Sequence, residues 1–238
     1  VEKILQIENL TKNFGNLRAL SSIQFDLNKG EIVGIIGPNG AGKSTLLNII
    51  SGVTPLDKGR IIFNGVDITN KRTFERCRLG IVKTSQIVQP FSKLTVFENI
   101  YLAAIYGGRE KSKEASTKAE EIICFLNLKH LKNEYGGNLT LHEKRRLDFG
   151  RALATQPSIL LLDENMGGLI PDEIDEALRF IKDINQSGVS IIIVEHVMSV
   201  VRGVSDRVVV LNYGEKIADA ATEEVFNDKN VLKAYFGE

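Results

Sequence analysis

The segment Gly37-Pro38-Asn39-Gly40-Ala41-Gly42-Lys43-Ser44-Thr45 follows directly on an apolar run, Ile32–Ile36. It fits the pattern G-x-x-x-x-G-K-[ST], a phosphate-binding loop when it joins a strand to a helix. Few segments constrain a fold so tightly, because a strand must deliver the loop and a helix must begin at it. Glycines let the backbone wrap around phosphate oxygens, and the helix aims its unpaired N–H groups and positive dipole end at that charge. In such a loop Lys43 reaches the β- and γ-phosphates, the Ser44 hydroxyl ligates Mg²⁺, and Thr45 adds a further hydroxyl donor to phosphate.

A second run, Ile159–Leu162, ends in Asp163 and Glu164, where a parallel sheet presents its ligand-binding edge. Asp163 is the candidate to hold the metal through water. Glu164 is the candidate general base that polarises a water towards the γ-phosphate. Further β-rich runs at Leu5–Ile7, Ile23–Leu27, Ile61–Phe63, Gly80–Val82, Ser190–Val194 and Val208–Leu211 are bounded by turn-forming residues. The runs at 32–36, 159–162 and 191–194 are apolar throughout, as in strands covered on both faces of a parallel sheet. The earlier runs alternate, as half-exposed antiparallel strands do. Between about Phe91 and Gln156 the β pattern stops, and Thr95–Ile105 and Lys113–Leu126 space their apolar residues at three and four. The expected fold is α/β, with a helical subdomain over 91–156 inserted into a core formed by 1–90 and 157–238. Phe91 and Phe97 are expected to fill hydrophobic contacts, and the charged run Arg109–Glu121 to be the solvated face of a helix.

The 238 residues carry 30 basic and 30 acidic side chains, a balance that gives no general attraction to nucleic acid. Cys77 and Cys124 lie far apart without metal-ligand spacing, which points to reduced thiols. No apolar run approaches the ~20 residues that span a bilayer. The amino terminus lacks the pattern of a secretion signal, so a cytoplasmic chain is expected.

The phosphate loop, the helical segment, Ile159–Glu164 and a later strand ending in Glu195-His196 together resemble the ATPases of ABC transporters, over essentially the whole chain. The resemblance implies a P-loop, RecA-like core with an antiparallel β subdomain and an inserted helical subdomain carrying the family's signature segment. It also implies ATP and Mg²⁺ as ligands. Gln86, after Gly80-Ile81-Val82-Lys83-Thr84-Ser85, matches the family's Q-loop glutamine, a contact to Mg²⁺ and the γ-phosphate. His196 matches the switch histidine, and Phe14 the aromatic residue that stacks on adenine. The implied partners are a second ATPase subunit, integral membrane permease subunits and an extracellular substrate-binding protein, with the chain peripheral on the inner face of the membrane. Within the family the likeness is to importers of branched-chain amino acids, a group similar also to ATPases for urea, short amides and lipopolysaccharide export. It rests on Thr84–Asn99, Ile193–His196 and Ala234–Glu238.

The chain departs from the family where a Leu-Ser-Gly-Gly-Gln signature is expected: it reads Leu139-Thr140-Leu141-His142-Glu143. Thr140 keeps a hydroxyl, but His142 replaces glycine and should impede close approach of backbone N–H groups to phosphate. The next loop, Asn165-Met166-Gly167-Gly168-Leu169-Ile170, also deviates. In the family's head-to-tail dimer each ATP lies between one chain's P-loop and the other's signature. An intact cis half beside a degenerate trans half implies a heterodimer, with the alternative that this signature is tolerated and two ordinary sites remain. Two further readings stay open: a regulatory nucleotide-binding subunit with negligible hydrolysis, and a soluble non-transport ABC ATPase.

Overall fold

The computed structural model describes residues 2–85, 88–164 and 170–228. Two sheets organise the chain. The first is antiparallel, in the order β2-β1-β4-β5, with β1 at Lys3–Phe14, β2 at Leu17–Asn28, β4 at Lys58–Phe63 and β5 at Val66–Asp67. The second, in the order β10-β9-β3-β8-β7-β6, contains β3 (Ile32–Ile36), β6 (Ile81–Lys83), β7 (Ile159–Asp163), β8 (Ser190–Val194), β9 (Arg207–Asn212) and β10 (Glu215–Ala221). Its strands are parallel except β10, which pairs antiparallel with β9.

Both faces of this sheet are covered, which explains why its central strands read as unbroken apolar runs. Along β7 and β8, Ile159, Leu161, Ile192 and Val194 face a core shared with β1, β2 and the helix α1 (Lys43–Ile50). The alternate residues Leu160, Leu162, Ile191 and Ile193 face a second core. That core holds α3 (Val96–Tyr106), α4 (Ser112–Phe125), α5 (Leu141–Ala154), α6 (Pro171–Gln186) and α7 (Met198–Val204). The short helices α2 (Thr73–Leu79) and α8 (Thr222–Asn227) and two 3-10 turns, Lys129–Leu131 and Gly136–Asn138, complete the described elements.

All eight expected strands are present, those at 32–36 and 190–194 with the expected bounds and most of the others with longer ends. The expected strand at Gly80–Val82 starts one residue later, because Gly80, at φ 105°, caps α2. The stretch from Phe91 to Gln156 contains helices and short turns, with a lone bridge between Thr95 and Tyr135 as its only described β pairing. Of the two phenylalanines expected to be packed, Phe97 stacks on Tyr101, but Phe91 is half exposed beneath the Arg151 guanidinium. A cation over its face replaces the apolar cover. The charged run begins outside a helix, since α4 starts at Ser112.

Candidate nucleotide site

Order in the sheet brings the expected site together. Adjacent strands β3, β8 and β7 end at one edge and deliver the phosphate loop, Glu195-His196 and Asp163-Glu164 respectively. This is the edge where open parallel sheets bind ligands. Two loop glycines are there for space as well as conformation. A Cβ on Gly37 would lie 2.1 Å from the Leu211 carbonyl oxygen, and one on Gly42 would lie 2.6 Å from that of Ala19. Gly42 also holds φ at 99° as it caps α1, so Lys43 begins the helix.

Lys43 folds back over its own loop, donating to the carbonyls of Gly37 at 2.7 Å and Pro38 at 3.1 Å. Burial lowers its pKa, and the nearby charges of Glu164 and Asp163 oppose that only in part. Its amine is thus buried against the backbone oxygens of its own loop. The Ser44 hydroxyl donates to Asp163 Oδ1 at 3.0 Å, joining the two halves of the site. His196 Nε2 lies 2.7 Å from Glu164 Oε1, so the candidate base and the candidate switch residue are in direct contact. Glu164 adopts φ 52°, a left-handed backbone uncommon outside glycine, while its N–H donates to the Val194 carbonyl. Its side chain is partly exposed, just beyond the end of β7.

A cleft of about 520 Å³ is lined by Phe14, Arg18, Asn39 to Thr45, Glu164 and Tyr213, among others. Phe14 lies at its rim, half exposed, with the Lys12 ammonium 5.3 Å from its ring centroid. A slightly larger groove, about 550 Å³, runs between α4 and α6 but holds none of the phosphate-loop residues, so chemistry rather than volume locates the site. Tyr213 was not foreseen. It is 87% exposed and turns from β9 into β10, a strand without a readable pattern. Lys83 was likewise missed: its Nζ is 2.9 Å from Asp163 Oδ2.

The residues expected to act in trans stand apart. Thr140, Leu141, His142 and Glu143 line no part of this cleft. Thr140 caps α5, its hydroxyl accepting from the Glu143 N–H while the Glu143 carboxylate accepts from the Thr140 N–H at 2.7 Å. Leu141 is 58% exposed at the helix tip. The His142 ring turns towards α6, with each nitrogen 3.6 Å from a carboxylate, Glu173 or Glu176. Gln86 and the loop at 165–169 lie outside the described residues.

Residues 20–167 match the family model described as ABC transporter. The chain is 35% identical to the "Probable branched-chain amino acid transport ATP-binding protein LivG" of Methanocaldococcus jannaschii, covering 99% of this chain and 98% of that one. The chain belongs to the ABC transporter family. Its similarity extends to the lipopolysaccharide export system ATP-binding protein LptB of Haemophilus influenzae, at 33% identity over 99% of this chain and 98% of LptB. Among solved structures it is similar to the ADP conformation of MJ1267, an ATP-binding cassette of an ABC transporter, with TM-score 0.89, 33% identity and full coverage of both chains. As an ABC family member the chain is an ATP-binding, ATP-hydrolysing transport subunit with a P-loop NTPase fold. Among the described residues no helix is long and apolar enough to cross a membrane.

Proposed function

We propose that this cassette powers import of branched-chain or other hydrophobic amino acids, docked beneath permease subunits on the inner face of the membrane and supplied by an extracellular binding protein. The observation that carries the chemistry is the convergence of Lys43, Ser44, Asp163, Glu164 and His196 at the ends of three neighbouring strands. The substrate rests on the likeness to LivG over nearly the whole chain.

In this reading the nucleotide's phosphates replace the carbonyls that Lys43 now contacts, and Phe14 receives the adenine. Ser44 and Asp163 fit a hydrated Mg²⁺: a hydroxyl and a buried carboxylate lie side by side, and no larger ligand cluster is found among the described residues. Few protein ligands are normal for an ion that keeps most of its water. When bound, Mg²⁺ would neutralise phosphate charge. Glu164 orients the attacking water, with His196 holding its carboxylate. The working unit is a dimer in which a second cassette supplies a signature, and residues 91–156 form the inserted subdomain that carries this chain's own. Because His142 stands where that signature has glycine, the second cassette is a different chain with an intact signature.

The test is stimulation. ATPase activity of the complex with its permease subunits should rise when binding protein loaded with leucine, isoleucine or valine is added. No response to any of the three, with a response to another solute, rejects the substrate while leaving the ATPase intact.

A further inference from the structure

The ion pair between Lys83 and Asp163 stands outside every role assigned so far. Lys83 ends β6 and pairs in register with Leu161 of β7, so Asp163, two residues on, lies on the same face of the sheet, diagonally across from it. The pair is deeply set, with side chains 16% and 1% exposed. The two carboxylate oxygens are divided: Oδ1 accepts from Ser44, and Oδ2 faces the Lys83 ammonium at 2.9 Å, close enough for an ion pair but without hydrogen-bond alignment. A carboxylate with one oxygen pinned cannot turn freely about its last bond. Its other oxygen is thereby kept towards Ser44.

We propose that Lys83 is a positioning residue for the metal site: by holding Oδ2 it fixes Asp163 so that Oδ1 and the Ser44 hydroxyl face the hydrated cation together. This rests on the reading of Ser44 and Asp163 as the residues that hold Mg²⁺. Groups that orient metal-binding side chains commonly contribute 10- to 100-fold in metal affinity. The residue type also matters, because a neutral replacement would leave a nearly unexposed carboxylate without the ammonium that faces its Oδ2.

The experiment uses the full chain with ADP, and Mn²⁺ as a paramagnetic substitute for Mg²⁺. Free Mn²⁺ is followed by electron paramagnetic resonance as the ADP complex is titrated, and ADP affinity is measured separately in EDTA. Wild type should bind Mn²⁺ in the ADP complex; if it does not, the metal reading itself fails. Lys83→Met should weaken Mn²⁺ about 10-fold or more, with ADP affinity in EDTA unchanged, and Lys83→Arg should recover most of the loss. The EDTA measurement doubles as evidence that the variant folds. Unchanged or tighter Mn²⁺ binding in Lys83→Met, with wild-type binding intact, overturns the positioning role alone. Equal losses with and without metal also overturn it, because the lysine would then be shaping the nucleotide cleft in general.

Discussion

Glu164 and His196 hold each other at 2.7 Å, which ties the candidate base to the end of the neighbouring strand. Replacing Glu164 by Gln keeps shape and hydrogen bonding but removes the base. Turnover should fall by about 10²- to 10⁴-fold while ATP affinity stays near wild type, read by steady-state rates and equilibrium binding. Lys43→Ala should act the other way and weaken nucleotide binding first, since its ammonium is the buried cation of the loop. These residues were legible in sequence because their chemistry depends on short spacings, a loop after a strand or two carboxylates at a strand end. Lys83 was not legible. Its contact to Asp163 arises from strand order, which no local pattern reveals. His142 was read as a substitution at the signature, but the turn of its ring towards Glu173 and Glu176 depends on where α6 packs.

The helix α5 links two regions that sequence presents separately. Its first residues lie in the segment proposed to act in trans, whereas two to three turns further in, Asp148 accepts the Ser85 N–H at 2.8 Å and Arg151 donates to the Gln89 carbonyl at 3.2 Å. One helix face thus grips both flanks of the segment containing Gln86. Burial raises the Asp148 pKa against the opposing Ser85 N–H and Arg151 charge. Asp148→Asn should therefore be tolerated better than Asp148→Ala, which removes the acceptor of the part-buried Ser85 N–H at a cost of about 1 kcal/mol by denaturant unfolding. The caps of α3 and α5 respond to pH in the opposite sense. Glu98 is held below its usual pKa by Thr95; burial pushes Glu143 upward, but the Thr140 donors together with His130 and His142 bring it below its usual value. A depressed carboxylate pKa stabilises the fold above the unfolded value and loses that contribution as pH falls through the folded one. Wild type should therefore lose more thermal stability than Glu143→Gln as pH drops from 6 to about 3. Strands covered on both faces could be located from sequence to within a residue or two. The edge strand β10, mostly exposed and without alternation, and the two-residue β5 offered no period to detect.

At the scale of the molecule, the cleft contains Asn39 to Thr45 of the phosphate loop, Glu164 and Phe14 but none of Thr140–Glu143, so the proposed cis and trans residues lie apart on one chain. In the half proposed to act in cis, Ser44 meets Asp163 and Glu164 meets His196, whereas the segment proposed to act in trans carries an imidazole where the family has glycine. In the complex with a second cassette, His142→Gly should change turnover far less than Glu164→Gln does, because in the proposed heterodimer His142 faces the nucleotide on the partner's phosphate loop. The decisive measurement is the ATPase rate of the purified chain over a wide concentration range, alone and then mixed with the second cassette, using Glu164→Gln as the blank. The expected result is little activity alone, a marked rise on mixing, and loss of that rise when this chain carries Glu164→Gln. Robust turnover by the chain alone that climbs steeply with concentration, or a mixed activity indifferent to Glu164→Gln, would contradict it.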